Sequence, residues 1–383
     1  MKDLQNILLL SFVAFGCVAT VQAQDTRESA VAGMRKVETK EMDPNFTQEP
    51  APSANAPSQP PSLGTAQSNA ALTLVGRIPV PRMTGTWDHL TLDAATDRLF
   101  ASAQEDNQVR VFDLRARKPL YTMSSGFTRP QGLYYIPVDN TLAVTNGKDG
   151  TFRSFNGKTY EPIKIVPLSL GADMMDMDRR TRYLYVDHGG TDSNRGPGGL
   201  AIIDSKDWRK VGEIPTELRP AALAMEKGGN RLYLLIPGLA QVGVIDRATN
   251  QIYARFQLKA PAQPTALALD EVRHRLFVDM RRPSSFNVLN SDTGKPVATL
   301  DTIDGVESMY YDAKLRRIYM TALDGYVQVI QQINADHYKT IARFFTGHHA
   351  GTSQWVPNLN LLCVAVPPVD GQAAEIWLFQ PKP

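Results

Sequence analysis

The sequence predicts an all-β fold, a seven-bladed β-propeller with four-stranded antiparallel blades, on three observations. A short apolar motif with Leu or Ile at its centre recurs seven times, and successive centres lie 42 to 48 positions apart. Each copy is flanked by further short runs rich in β-branched and aromatic residues, with turn residues between them. No amphipathic helical pattern of comparable length competes with this pattern. A repeat of roughly 44 residues containing four strands is typical of propeller blades. The seven motif centres are Leu99, Leu142, Leu184, Leu232, Leu276, Ile318 and Leu362.

The N-terminal residues differ from the repeats. An apolar run over residues 7–21 follows Lys2 and ends in Val21-Gln22-Ala23, where the small residues fit a cleavage site. The run is shorter than the ~20 residues that a membrane-spanning helix needs. We therefore predict a signal peptide over 1–23, a periplasmic or secreted protein, and no transmembrane segment in the mature chain.

Residues 24–70 predict a disordered tether. Six prolines fall between Pro44 and Pro61, interleaved with Ala, Ser, Asn and Gln. Such a segment cannot bury enough apolar surface to offset the entropy lost on ordering. The propeller is therefore assigned to residues 71–383.

Within each repeat, the strands follow in a fixed order. In the first blade, a strand ending at Asp93 precedes the motif, and the runs 109–113 and 118–123 follow it. The last repeat ends after its third strand, at 375–379, whereas the run 72–79 resembles a fourth strand with no blade of its own. We predict that this N-terminal strand pairs with the C-terminal blade and closes the ring, which removes an exposed sheet edge.

Composition excludes some classes of partner. The 383 residues carry 41 Lys and Arg against 39 Asp and Glu, a net charge of +2, and 43% of them are hydrophobic. Because no strong field of one sign results, nucleic acid is not an expected partner. We also expect a monomer. Signal cleavage would remove Cys17 and leave Cys363 alone, so no internal disulfide can form. The apolar run around Cys363 predicts a buried strand residue.

Candidate functional residues are expected at one end of the ring. In a four-stranded meander, the loop before the innermost strand and the loop between the second and third strands lie at the same end. We predict that ligand-binding side chains gather there, at the mouth of the central channel. The candidates from these loops are Asp88, His89, Gln131, Asp173, His188, Arg281, Glu307, His348 and His349.

The sharpest candidates come from blades six, seven and one, which are neighbours once the ring closes. Glu307, His349 and His89 occupy nearly equivalent positions, with Asp88 beside them. Two imidazoles and a carboxylate can bind a divalent metal ion and leave open positions for water or substrate. The same residues can act as general acid and base. An ordinary polar, water-filled channel mouth is the structural alternative.

The repeats resemble those of the YVTN/YncE-like seven-bladed β-propeller family of exported bacterial proteins. The resemblance covers residues 72–383 and is carried by the seven motifs and by the segments 87–93, 352–357 and 374–377. It implies the fold and an exported protein. It implies no activity, because seven-bladed propellers include lactonases, lyases, electron-transfer domains and binding modules.

Two classes of function follow from the sequence, and a third stays open. The first is binding of a small ligand, a metal ion or a protein partner at the channel face. The second is a lactonase- or lyase-like enzyme in which His89 or His349 acts as base, Glu307 orients it or acts as acid, and Arg281 binds a substrate carboxylate. The third is an interaction scaffold that uses the rim and no pocket.

Overall fold

A computed structural model describes residues 71–190, 196–259, 263–369 and 371–383. The predicted signal peptide, 1–23, and the predicted tether, 24–70, lie outside the described residues. In the described part, no helix is long and apolar enough to cross a membrane.

The described residues form seven four-stranded antiparallel sheets, which confirms the predicted seven-bladed propeller. We number the blades from the first complete one in the chain. The strands, in chain order, are β1 Leu72–Val80, β2 Trp87–Asp93, β3 Arg98–Ala103, β4 Gln108–Asp113, β5 Lys118–Met123, β6 Pro130–Ile136, β7 Thr141–Asn146, β8 Thr151–Asn156, β9 Pro162–Pro167, β10 Met175–Asp178, β11 Tyr183–Gly189, β12 Gly198–Asp204, β13 Arg209–Thr216, β14 Ala222–Met225, β15 Arg231–Ile236, β16 Gln241–Asp246, β17 Gln251–Gln257, β18 Pro264–Asp270, β19 Arg275–Arg281, β20 Ser284–Asn290, β21 Pro296–Asp301, β22 Val306–Asp312, β23 Arg317–Ala322, β24 Tyr326–Gln332, β25 Tyr338–Phe345, β26 Thr352–Val356, β27 Leu361–Val366 and β28 Ala374–Pro381. In the part of the chain that the structure describes, two short 3₁₀ turns, Pro137–Asp139 and Pro237–Leu239, follow β6 and β15.

The ring closes as the sequence predicts. The seventh blade has the order β1-β28-β27-β26, so the N-terminal strand supplies its outermost strand. Pairing runs from Leu72 opposite Pro381 to Val80 opposite Ala374, with an irregularity between Leu74 and Gly76. Two distant parts of the chain are thereby joined by backbone hydrogen bonds, and β28 lies inside the sheet rather than at its edge.

Apolar side chains pack between neighbouring blades rather than in one central core. At the seam, Leu99 and Phe112 of blade 1 pack with Ile376 and Leu378 of blade 7, and all four are fully buried. Burial of a side chain of this size contributes about 1.5–3 kcal/mol. Cys363 lies in the same cluster and is fully buried, as predicted. Burial raises the pKa of its thiol.

Buried hydroxyls join successive blades near the channel. The Thr145 hydroxyl of blade 2 donates to the Asp173 carbonyl of blade 3 at 2.7 Å. Thr321 of blade 6 donates to the Gly351 carbonyl before blade 7 at 2.6 Å. Ser102 of blade 1 bonds the Gln131 carbonyl of blade 2 in the same way. These bonds fix the backbone from which the channel-mouth side chains project.

Candidate functional site at the channel mouth

A cavity of about 990 Å³ opens at one end of the central channel. Its lining comes from the loops before the innermost strands and from the loops between second and third strands, the two sets that the sequence predicts at one end. Seven of its charged or polar lining residues are Asp88, His89, Gln131, Asp173, Arg219, Glu307 and His349.

Bulges in the innermost strands present several of these side chains to the cavity. The pairing of β2 with β3 is irregular between Trp87 and Leu90, where Asp88 and His89 lie. The pairing of β22 with β23 shifts between Val306 and Ser308, and Glu307 is the extra residue. A bulge leaves a residue outside the ladder and redirects its side chain. Local irregularity therefore makes these residues available for binding.

His89 contacts two carboxylates through one atom. Its Nε2 lies 3.1 Å from Oδ1 of Asp173 and 3.4 Å from Oδ1 of Asp88. Burial alone would lower the pKa of His89, but Asp88 and Asp173 outweigh burial and raise it to about 10. The imidazole therefore carries a proton at neutral pH and cannot accept another.

Asp88 is held by two amides. The side-chain amide groups of Gln104 and Gln131 both donate to its Oδ2, the second at 3.3 Å. Gln104 in turn accepts from Nε of Arg129 at 3.2 Å. Burial and the neighbouring Asp173 raise the pKa of Asp88 to about 6, even though His89 opposes the shift.

Asp173 has the opposite electrostatic balance. Nη2 of Arg219 lies 2.9 Å from its Oδ2, while His89 lies near its Oδ1. Burial would raise the pKa of Asp173, but His89 and Arg219 lower it. Two carboxylates within reach of the same imidazole thus differ in the direction of their pKa shifts.

Asp187 lies behind this group and was not among the residues that the sequence singled out. It is fully buried, and neither carboxylate oxygen has a hydrogen-bond partner among the described residues. Burial and the charge of Asp173 raise the pKa of Asp187 well above its usual range. The repeat offers a signal for Asp187, which lies three positions after its motif centre. Some other blades have a hydroxyl side chain at this position, namely Ser102, Thr145 and Thr321, whereas blade 3 has a carboxyl group.

Glu307 and His349 line the same cavity as His89 but have other neighbours. The Glu307 carboxylate pairs with the Arg281 guanidinium, so the predicted substrate-binding arginine binds the predicted acid. Burial raises the pKa of Glu307, although Arg281 opposes the shift. His349 is exposed, and its backbone N–H donates to the Leu323 carbonyl at 2.9 Å.

Two of the predicted ligand-binding histidines are not among the residues that line this cavity. His188 is buried, with Nε2 2.8 Å from Oε1 of Glu213 and Nδ1 accepting from the Ser169 N–H at 3.3 Å. These partners give His188 a structural role between strands and the loop before blade 3. His348 is exposed, and its ring packs edge-on against Phe345.

The residues whose potential ligand atoms converge are Asp88, His89 and Asp173. One ligand atom from each lies within 4.8 Å of the others, a spacing that could hold a metal ion. The predicted set was His89, His349 and Glu307. Of that set, His89 belongs to the converging group, while Glu307 and His349 line the same cavity.

The comparisons with known proteins bear on the fold. A chain of hydrazine synthase from Kuenenia stuttgartiensis is similar in structure, with 16% identity and a TM-score of 0.63 over 73% of this chain and 92% of that chain. A chain of a mitotic checkpoint complex is similar at 13% identity and a TM-score of 0.67, over 88% of this chain and 99% of that one. At such low identity these similarities support the propeller fold alone. No protein-family model and no curated protein sequence matches this chain.

Proposed function

We propose that the cavity at the channel mouth binds a small organic molecule carrying a carboxylate or phosphate group. The observation that carries the proposal is a roomy polar cavity with two cations at its edge, Arg129 and Lys148. Among the described residues, neither of them has an ion-pair partner. A volume near 990 Å³ is at the upper end of the range for pockets that hold small molecules.

The charges divide the cavity into two parts. Asp173 and Glu307 are each paired with an arginine, Arg219 and Arg281 respectively, so these acids and bases largely neutralise one another. Arg129 and Lys148 lie on the blade 2 side outside these pairs, and the carboxylate of Glu105, which lines the same cavity, binds the N–H and hydroxyl of Thr86. An anionic ligand would gain charge-assisted hydrogen bonds there without displacing an existing pair.

Thermal unfolding of the full chain in the presence of defined anions tests the proposal. Gluconate, citrate, glucose 6-phosphate and inorganic phosphate are suitable probes. A ligand at 100 times its Kd stabilises by about 2.7 kcal/mol, which corresponds to a rise in Tm of roughly 4 °C for a propeller of this length.

The variant Arg129→Gln/Lys148→Gln is expected to weaken binding of the active probe at least ~10-fold, since each lost charged hydrogen bond costs about 1.5–3 kcal/mol. The control Lys118→Gln/Lys164→Gln removes the same charge from exposed positions on the outermost strands β5 and β9. Equal loss in both variants would indicate a general charge effect. No shift with any probe would favour the alternative of a protein partner at this face.

A second candidate function, a lactonase- or lyase-like enzyme, is favoured by the split pKa values of Asp88 and Asp173. Groups whose surroundings push their pKa values apart are typical acid and base pairs. Asp88, with a pKa of about 6, would be a base above that pH, and the protonated His89 would stabilise negative charge on the substrate. In lactone hydrolysis, Asp88 would take a proton from water as the water oxygen bonds to the carbonyl carbon, and would return that proton to the ring oxygen as the ring C–O bond breaks.

Turnover of simple γ- and δ-lactones by the full chain tests this candidate. We expect the rate to rise with pH through about 6 and to fall at least 100-fold in Asp88→Asn. A flat pH profile, or an unchanged Asp88→Asn rate, would exclude Asp88 as the base.

We also propose that the protein is exported and that it is a member of the YVTN/YncE-like family. The support is the apolar run over 7–21 with its small-residue cleavage site, together with the repeat motifs. N-terminal sequencing of the protein recovered from outside the cytoplasm should begin at Gln24. A chain that retains residues 1–23 would contradict the predicted cleavage.

A further inference from the structure

The three residues Asp88, His89 and Asp173 are held in a specific orientation. In both aspartates, Oδ1 faces Nε2 of His89, at 3.4 Å for Asp88 and 3.1 Å for Asp173. In both aspartates, Oδ2 is bound by other side chains, by Gln104 and Gln131 in one case and by Arg219 in the other. Each carboxylate thus has one anchored oxygen and one that points to a common centre.

Anchoring of this kind is characteristic of metal sites. Residues around a metal centre usually bind the outer atoms of its ligands and fix their directions. The two aspartates and the imidazole come from blades 1 and 3, so the ring geometry, rather than one loop, brings them together. Their side chains are 16–25% exposed, which leaves the centre accessible from the cavity.

A separate observation concerns Asp187. This fully buried carboxyl group has no hydrogen-bond partner for either oxygen among the described residues. Its backbone is bonded directly beside the site, since the Asp173 N–H donates to the Asp187 carbonyl at 3.1 Å and the Asp187 N–H donates to the Met174 carbonyl at 3.0 Å. Burial of an unpaired polar group costs roughly 1–3 kcal/mol, and a charged one costs more. A cation at the centre would offset that cost.

We propose that Asp88, His89 and Asp173 bind a divalent first-row transition metal ion, with Asp187 as a nearby acid that balances its charge. The proposal rests on the proposed function and deepens it, because the open positions of the metal face the cavity in which the anionic ligand would bind. One imidazole nitrogen with two carboxylate oxygens suits Mn²⁺, Fe²⁺, Co²⁺ or Zn²⁺ better than Mg²⁺ or Ca²⁺, which prefer oxygen ligands alone.

The charges agree with a divalent ion. With the metal bound, His89 is neutral, because its Nε2 lone pair is the ligand, and the proton leaves to solvent. The site then contains three carboxylates with three negative charges, those of Asp88, Asp173 and Asp187. The divalent metal ion and the Arg219 guanidinium together supply three positive charges, so the charges balance. Without the metal, the proton on His89 takes the same place between the two Oδ1 atoms.

The test uses the full chain, stripped with a chelator and titrated with Mn²⁺, followed by calorimetry and by the electron paramagnetic resonance of free Mn²⁺. We expect one ion per chain. His89→Gln and Asp88→Asn should each weaken binding at least 100-fold, and Asp187→Asn about 10-fold or more. His274→Gln, the matched control, removes the imidazole that pairs with Asp292 at the other end of the ring, 3.1 Å away, and should leave binding unchanged.

A measurement on the unaltered chain guards against variants that fail to fold. Bound Mn²⁺ should broaden the His89 imidazole resonance beyond detection at one equivalent, while the His274 resonance persists. The proposal is overturned if wild-type protein binds none of Mn²⁺, Co²⁺ and Zn²⁺, if folded His89→Gln binds as tightly as wild type, or if the His89 resonance is unaffected.

The two proposals can fail separately. Metal binding without stabilisation by any anion would overturn the proposed function and leave the metal site in place. Stabilisation by an anion that persists in the chelator, with no metal uptake, would overturn the metal site alone.

Discussion

Nε2 of His89 in blade 1 lies 3.1 Å from Oδ1 of Asp173, two residues before β10, the first strand of blade 3. The contact joins two blades that are separated in the sequence by blade 2, and both residues line the cavity. It places a positive imidazole among Asp88, Asp173 and Asp187, and these carboxylates raise its pKa to about 10. The electrostatics of the site therefore depend on ring geometry rather than on neighbours in the sequence.

The metal-free protein should show this protonation directly. A proton NMR titration in chelator is expected to give His89 a pKa of about 10, assigned by loss of the signal in His89→Gln. Asp173→Asn should lower that pKa, because it removes the closest carboxylate, whereas Asp292→Asn should leave it unchanged. Titration of His89 near 6.5 would contradict the ion pair.

The same group should couple stability to pH. Folding raises the pKa of His89 above the ~6.5 of a free imidazole, so its stabilising contribution is complete below about pH 6.5. The contribution is lost as the pH rises towards 10. The free energy of unfolding should fall over this interval in wild type and fall less in His89→Gln, measured by urea unfolding in chelator.

Asp279 provides a pH-dependent prediction away from the site. This carboxyl group is fully buried, and burial raises its pKa to about 7. The Thr265 hydroxyl donates its only proton to the Val306 carbonyl at 2.8 Å. It can therefore only accept from Asp279, whose Oδ2 lies 3.4 Å away, and only the neutral acid form of Asp279 has a proton to donate. Its contribution to stability is complete below about pH 4 and is lost as the pH rises through 7.

Asp279→Asn should therefore stabilise the protein at pH 8, by an amount on the order of a few kcal/mol, and change little at pH 4. Thermal unfolding at the two pH values measures the difference. Asp301→Asn, an exposed carboxylate on β21 of the same blade, should change stability by less than about 0.5 kcal/mol at either pH. A pH-independent effect of Asp279→Asn would argue against a buried ionisable group.

The repeat made the fold and its closure predictable from sequence. One residue in each repeat, eleven positions before the motif centre, projects from the loop or bulge at the start of the innermost strand. These residues are Asp88, Gln131, Asp173, Ala221, Thr265, Glu307 and Gly351. A periodic sequence therefore identifies which positions face the channel, and this part of the site was accessible before the structure.

The pairing among those positions was not accessible. The sequence groups His89 with Glu307 and His349 because their blades are neighbours, but a ring brings all channel-facing positions near one axis. Which pairs meet depends on side-chain length and on the direction set by each bulge. Arg281 was available to pair with Glu307, and Arg219 with Asp173, so His89 lies between the two aspartates.

The hydroxyl bonds between blades should be measurable as stability. Thr145 is fully buried, accepts from the Gly132 N–H at 2.8 Å and donates to the Asp173 carbonyl at 2.7 Å. Thr145→Val keeps the shape and leaves both backbone groups unpaired, at a cost of about 1–3 kcal/mol. Thr145→Ser retains the hydroxyl and should recover most of that loss in urea unfolding. A stable Thr145→Val beside a destabilised Thr145→Ser would show that the methyl group, rather than the bonds, is responsible.

The closing strand gives the last prediction, because the seam is where the ring depends on two distant parts of the chain. Ile78 on β1 lies opposite Ile376 and is fully buried among side chains of blades 7 and 1. Ile78→Ala should lower the free energy of unfolding by about 2–5 kcal/mol, the range for truncating a large core side chain. Val211→Ala on the outermost strand of blade 3, where the side chain is 45% exposed, should cost less than about 0.5 kcal/mol. If Ile78→Ala were as mild as the control, β1 would not be a structural part of the ring. A fall in the free energy of unfolding within the expected range would indicate that residues 72–80 stabilise the propeller as a core strand does. The physical reason is that their pairing with β28 converts an open array of blades into a closed one.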